Sequence, residues 1–94
     1  MTIHFKIGND LVEAVRTDLH RAHPFAYERV GFLFAGVAAP GGDLIVTASD
    51  YRPVADEDYL DDSNMGAMMG PDAIRKALQH SYQTRTAAIH VHLH

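Results

Sequence analysis

The end of the chain, residues 86–94, alternates between histidine and apolar positions. Successive side chains of an extended strand point to opposite faces, so the pattern predicts a β-strand with imidazoles on one face and an apolar wall on the other. The imidazoles belong to His90, His92 and His94, and the wall to Ile89, Val91 and Leu93. A histidine-rich tail is the alternative, but regular interleaving with β-forming residues favours a strand that belongs to the fold.

The histidine row offers ligands for a metal ion. Imidazole is the commonest protein ligand for zinc, and an H-x-H pair on a strand supplies two ligands from neighbouring positions on one face. The chain contains no cysteine, which excludes disulfides and thiolate sites and leaves His, Asp and Glu as the available ligands. Two histidines do not complete a site, so the pattern alone leaves metal binding open.

Length and charge narrow the class of protein. The 94 residues predict a single small domain that buries about 60 to 65% of its unfolded surface, a marginal core. The net charge of -4 argues weakly against a nucleic-acid partner. Residues 30–39, the longest apolar run, contain two glycines and fall short of the ~20 residues that span a bilayer. Because the N-terminus also lacks a signal-peptide pattern, we expect a cytoplasmic protein.

Predicted elements alternate along the first half of the chain. Residues 1–7 form a strand, and a helix follows a cap at Asn9 or Asp10 and stops at Pro24, with Asp18 facing water. Residues 29–35 are apolar on both faces, which is typical of a central strand. A turn at 37–42 joins them to a further strand at 43–51, and so short a turn predicts an antiparallel hairpin.

A second helix leads into the histidine strand. Pro71 is well placed as its first residue, and its apolar stripe consists of Ile74, Ala77, Leu78 and Tyr82. The order strand, helix, strand, strand, loop, helix, strand predicts an α/β (α+β) domain, with a small mixed sheet flanked by helices.

The connection between Pro53 and Gly70 is acidic and rich in methionine. It lacks Lys and Arg and carries Asp56, Glu57, Asp58, Asp61 and Asp62, followed by Met65, Met68 and Met69. The carboxylates predict an exposed, solvated loop or, alternatively, a rim that receives a partner or a metal. The methionines are either core filler or an adaptable apolar contact.

Glu28 stands at the entrance to the very apolar second strand. It lies either at the exposed end of that strand or in a site where partial burial raises its pKa, as a general base requires. A glutamate beside a zinc ion with three protein ligands can take a proton from the attacking water. A sheet in which the Glu28 strand neighbours the histidine strand would bring these groups together.

Together, the segment E-R-V-G-F-L-F-A-G that Glu28 opens and a later strand ending in H-x-H resemble the JAMM (MPN-type, JAB) zinc metalloproteases. The resemblance implies a cytidine-deaminase-like sandwich that hydrolyses peptide or isopeptide bonds, after ubiquitin-like or sulfur-carrier-like proteins. It makes Glu28 the catalytic acid and base, and His92 and His94 the zinc ligands. His90 would support them or, with His92, form the alternative pair. Asp61, Asp62, Met68 and Met69 would form the substrate rim.

One departure from the family pattern concerns the third ligand. In the family it is an aspartate in a downstream S-x-x-D, whereas this sequence stops at His94. The resemblance therefore implies either the N-terminal part of a single JAMM domain over residues 1–94, truncated at its C-terminus, or a degenerate form that obtains its third ligand elsewhere. An open sheet edge in the truncated form invites a homodimer. Two alternatives stay open: a non-catalytic MPN-type scaffold, and a cupin-like or carbonic-anhydrase-like site that adds His4.

Overall fold

The computed structural model describes residues 1–22, 29–59 and 69–93. The described elements are β1 (Ile3–Lys6), α1 (Asn9–Leu19), β2 (Val30–Ala38), β3 (Leu44–Pro53), α2 (Pro71–Thr84) and β4 (Ala87–His92). The strands form one sheet in the order β1-β3-β2-β4, with β1 parallel to β3 and the other pairs antiparallel. The domain is thus a small mixed α/β fold, as predicted at this coarse level.

One helix packs against each face of the sheet. Tyr51 of β3 contacts Asp18 of α1, whereas its neighbour Asp50 contacts His80 of α2. Consecutive side chains of a strand point to opposite faces, so the two helices lie on opposite sides. Among the described residues, neither helix is long and apolar enough to cross a membrane.

Strand β2 occupies the centre, as its two-sided apolar pattern predicts. Val30, Leu33, Phe34 and Ala35 are buried, and β2 pairs with β3 on one side and β4 on the other. The predicted hairpin between β2 and β3 is confirmed. Its turn passes through Gly41 and Gly42 at φ 59° and 87°, a left-handed conformation that glycine adopts without a Cβ clash.

Helix α1 differs from the prediction at both ends and on one face. Gly8 occupies the N-cap position without a side-chain cap, and His20 caps the end, so the predicted cap at Asn9 or Asp10 and the stop at Pro24 are wrong. Asp18, expected to face water, is buried. The reason is tertiary: its carboxylate accepts hydrogen bonds from the Tyr51 hydroxyl and from Arg21.

Helix α2 begins at Pro71 as predicted, but a different face packs. Ala73 and Ala77 are buried, whereas Ile74, Leu78 and Tyr82 are 46, 61 and 88% exposed. Of the predicted stripe, only Ala77 faces the sheet. Two contacts orient the face of α2 that carries Ala73 and Ala77 toward the sheet. The His80 ring contacts Phe34 at a centroid distance of 4.4 Å, and Lys76 pairs with Asp58 at 2.7 Å.

The segment after β3 contains a short 3-10 turn, Asp56–Asp58. Asp56 and Glu57 are exposed, as expected of an acidic loop, but Asp58 is buried, so for Asp58 the expectation is wrong. The ion pair with Lys76 compensates the charge of this carboxylate. The buried guanidinium of Arg29 holds the same turn from the other side, donating to Asp56 at 2.7 Å and to the carbonyl oxygen of Ala22.

Candidate functional site

The site begins with the pairing of the two strands that carry the candidate residues. Strand β4 runs antiparallel to β2, with Val30 opposite His92 and Phe32 opposite His90. Val30 stands two positions after Glu28 in the chain. The arrangement sought from the sequence, in which the strand after Glu28 neighbours the histidine strand, is therefore present.

His90 and His92 lie on the same face of β4, as the alternation predicts. Both are exposed, whereas Ile89 and Val91 on the opposite face are half-buried. The two ring centroids are 5.2 Å apart. Imidazoles that share a tetrahedral zinc ion through Zn–N bonds of about 2.0 to 2.1 Å have ring centres roughly 5 Å apart. The spacing of His90 and His92 therefore fits two ligands of one zinc ion.

The surroundings of His90 favour its neutral form. Partial burial, followed by the charge of His92, lowers the pKa of His90 from its ordinary value. The Phe32 ring contributes to this burial at a centroid distance of 5.8 Å. Neutral imidazole is the form that binds a metal, because the coordinating nitrogen must be free of its proton.

The described residues contain no group of three or more His, Asp or Glu side chains that could hold a metal ion. Glu28 and His94, together with the rim residues Asp61, Asp62 and Met68, lie outside the described ranges. Within these ranges the candidate site thus consists of the pair His90 and His92.

Met69, the remaining rim residue, lies immediately before α2. It is half-buried against the core cluster of Val30, Val54, Tyr59 and Ala73, and it bridges the backbone of Tyr59. This position corresponds to the core-filling role that the sequence left open for the methionines.

His4 does not join the histidine row. It lies on β1, at the opposite edge of the sheet from β4, where its closest charged neighbour is Asp43 at 4.0 Å. Three strand spacings of about 4.8 Å separate the two edges by roughly 14 Å. This separation excludes a site that combines His4 with His90 and His92, as the cupin-like and carbonic-anhydrase-like alternatives require.

A second polar cluster, which the sequence patterns do not predict, lies on the face of the sheet that α2 covers. His80 Nε2 donates to Asp50 Oδ2 at 3.1 Å, and Arg52 Nε donates to the same oxygen at 3.3 Å. The spacing of Asp50 and Arg52, two apart on a strand, places them on one face. No local pattern, however, links either residue to His80, which comes from a helix 30 positions after Asp50.

Comparisons were made with protein-family models, curated proteins and solved structures. None of the three found a match to this chain.

Proposed function

We propose that the chain is a zinc-dependent metallopeptidase domain of the JAMM type, which hydrolyses peptide or isopeptide bonds. The observation that carries the proposal is the antiparallel pairing of β2 with β4, in which Val30 faces His92. This pairing supports the proposal because it joins the strand that follows Glu28 to the strand that bears H-x-H, as the JAMM resemblance requires.

His92 and His94 are the proposed zinc ligands, with Glu28 as the catalytic acid and base. His90 and His92 form the alternative pair, supported by the 5.2 Å between their rings. Zinc, when bound, would supply a Lewis acid and lower the pKa of the attacking water. Glu28 would take the proton of that water and deliver it to the departing amine.

The proposed substrate is a protein or peptide with a ubiquitin-like or sulfur-carrier-like C-terminus. Asp61, Asp62 and Met68 are the proposed rim, on the basis of their position and composition, whereas Met69, the fourth of the predicted rim residues, packs against the core. Replacing the three rim residues should impair cleavage, and unchanged cleavage of every substrate tested would remove the rim from the proposal.

Zinc binding is the first test. We expect the chain to bind about one zinc ion, and we expect His92→Ala to weaken binding by at least about tenfold, measured by competition with a chromophoric chelator. His20→Ala is the matched control, because His20 is exposed at the end of α1. Zinc affinity is also measured for His90→Ala and His94→Ala. The variant that loses more affinity identifies the second ligand. Negligible zinc in the unsubstituted chain would overturn the metal site.

The role of Glu28 is the second test. Glu28→Gln should retain zinc but lose cleavage by a factor on the order of 10² to 10⁴, the usual contribution of a general acid and base. Glu13→Gln is its control, since Glu13 is exposed on α1. A Glu28→Gln variant that cleaves as fast as the Glu13→Gln variant would contradict the assignment.

A non-catalytic MPN-type scaffold is the second candidate. The exposed apolar residues Ile74, Leu78 and Tyr82, spaced four apart on α2, favour it, because contiguous exposed apolar side chains mark interaction surfaces. A scaffold would bind neither zinc nor substrate at the histidine row, so the zinc measurement separates the two candidates. Sedimentation equilibrium of the chain and of a Leu78→Glu variant tests whether this surface forms a homodimer.

A further inference from the structure

A pocket of about 300 Å³ opens between α2 and the strands β2 and β3. This volume is at the lower end of the range of small-molecule sites. Neither His90 nor His92 lines it, and Phe32 separates the two places: its ring lines the pocket and lies 5.8 Å from the ring of His90. The pocket is therefore distinct from the candidate metal ligands.

The floor of the pocket is apolar. The rings of Phe32 and Phe34 lie 6.5 Å apart, and Val54, Ala73 and Ala77 are buried around them. The two alanines keep the space open, because larger side chains at these positions of α2 would fill it. Such a floor suits a flat ring or a branched hydrocarbon, since a polar group there would lose its hydrogen bonds to water.

Two cationic side chains, Arg52 and Lys76, line the pocket together with one carboxylate, Asp58. Each pairs with one carboxylate: Arg52 Nε with Asp50 at 3.3 Å, and Lys76 Nζ with Asp58 at 2.7 Å. A guanidinium has five N–H donors and an ammonium three. Among the described residues, the terminal N–H groups of Arg52 make no other hydrogen bond or ion pair. Donors for an anion are therefore available above an apolar floor.

His80 contacts both the apolar floor of the pocket and the charged residues beside it. Its ring packs edge-on against Phe34 at 4.4 Å, and its Nε2 donates to Asp50 at 3.1 Å. Asp50 also accepts a hydrogen bond from Arg52 Nε, so one carboxylate positions the ring of His80 and the guanidinium of Arg52. A wall held in this way lowers the entropy lost when a ligand binds.

We infer that this pocket binds a small carboxylate with an apolar, ring-sized or branched body. The body lies over Phe32 and Phe34, and the carboxylate accepts N–H donors of Arg52 and Lys76. A cationic ligand would meet two cations whose carboxylate partners are already engaged. The inference requires neither zinc nor Glu28, so it stands independently of the proposed function.

The test is titration of the ¹⁵N-labelled chain, followed by NMR in the presence of EDTA. The probes are phenylacetate, 3-phenylpropanoate and 4-methylpentanoate, and we expect a Kd on the order of 1 mM for ligands of this size. Amide signals of Ala77 and His80 should shift. Phenylacetamide, which lacks the charge, and acetate, which lacks the ring, should bind at least about tenfold more weakly.

Arg52→Gln should weaken phenylacetate binding about tenfold and leave phenylacetamide binding unchanged, because it removes only the charged contact. Arg75→Gln is the matched control: Arg75 is exposed on α2, pairs with Asp72 at 3.6 Å and does not line the pocket. The inference is overturned if none of the three carboxylates shifts Ala77 and His80 at up to about 20 mM. It is equally overturned if phenylacetamide binds as tightly as phenylacetate, or if both arginine variants behave alike.

Discussion

Asp50 and Tyr51 are consecutive residues of β3, and each belongs to a polar cluster on a different face of the sheet. On the α1 face, Asp18 accepts hydrogen bonds from the Tyr51 hydroxyl and Arg21, and its side chain is 10% exposed. On the α2 face, Asp50 accepts hydrogen bonds from His80 and Arg52, and its side chain is 43% exposed. The two clusters share a composition: one carboxylate, one arginine and one donor on a ring.

Their difference lies in access to water. The Asp18 carboxylate is largely removed from water, although Arg21 is 47% exposed. The hydrogen bond that this carboxylate accepts from the half-buried Tyr51 therefore stabilises the fold, and the carboxylate has little capacity for a ligand. Solvent screens the charges around Asp50, which lowers their contribution to stability. The same exposure leaves the donors of Arg52 available to a ligand. The comparison therefore assigns a structural role to the Asp18 cluster, whereas the Asp50 cluster borders the pocket proposed to bind a ligand.

Among the substitutions considered, one at Gly31 should lower the free energy of unfolding most, because the Tyr51 ring covers this residue. A Cβ at this position would lie 2.0 Å from the Tyr51 hydroxyl oxygen and 2.4 Å from Cζ. Gly31→Ala should therefore displace Tyr51, break its bond to Asp18 and lower the free energy of unfolding by about 3 kcal/mol, measured by urea denaturation.

Gly36→Ala is the control in the same strand, because nothing lies within 4 Å of a Cβ there. Its effect should stay below about 1 kcal/mol. Equal losses in the two variants would show that Tyr51 is not held rigidly over Gly31.

Removing each carboxylate compares the clusters directly. Asp18→Ala leaves the half-buried Tyr51 hydroxyl without its acceptor and should lower the free energy of unfolding by about 2 to 3 kcal/mol. Asp50→Ala removes contacts on the exposed side and should lower it by less than about 1 kcal/mol. Both free energies are measured by urea denaturation. Comparable losses in the two variants would show that Asp18 and Asp50 contribute equally to stability, which would refute the distinction between the two clusters.

Alkaline pH should lower the stability of the folded state through ionisation of Tyr51. Burial, and then the hydrogen bond to Asp18, raises the pKa of Tyr51 well above its ordinary value of 10.0. The folded state keeps this proton after the unfolded state has lost it. The stabilisation is therefore complete below pH 10 and declines above it, by at most about 1.4 kcal/mol per pH unit.

Urea denaturation between about pH 9 and pH 11 measures this decline. Tyr51→Phe should reduce it to the part that comes from groups such as Tyr59, whose pKa burial also raises. Tyr82→Phe, at an exposed position of α2, should leave it unchanged. The same slope in the Tyr51→Phe variant would assign the alkaline dependence to another group.

Several patterns confined to one element predicted that element well, although the cap of α1 and the apolar stripe of α2 were predicted wrongly. The alternation of residues 89–92, the two-sided apolar character of β2 and Pro71 at the start of α2 were each readable from neighbouring residues, and the structure confirms all three. These features follow from backbone geometry, which sets the side-chain period of a strand and the first turn of a helix. The position of His90 and His92 on the same face of β4 was predictable for the same reason.

Burial of particular side chains was not predictable in this way. Asp18 and Asp58 carry charges that the sequence assigns to solvent, and Leu78 is apolar yet exposed. The burial of each carboxylate depends on a partner from elsewhere in the chain, Tyr51 for Asp18 and Lys76 for Asp58. The pocket was likewise invisible, because β2, β3 and α2 each supply part of its lining.

Local patterns were enough to predict the strands, the presence of two helices and the histidine row, because their periodicities come from backbone geometry. The placement of β4 beside β2, and of Asp50 and Tyr51 against different helices with different access to water, depends on long-range contacts. Burial and electrostatics depend on the group that lies opposite in space, and that group is usually distant in the chain.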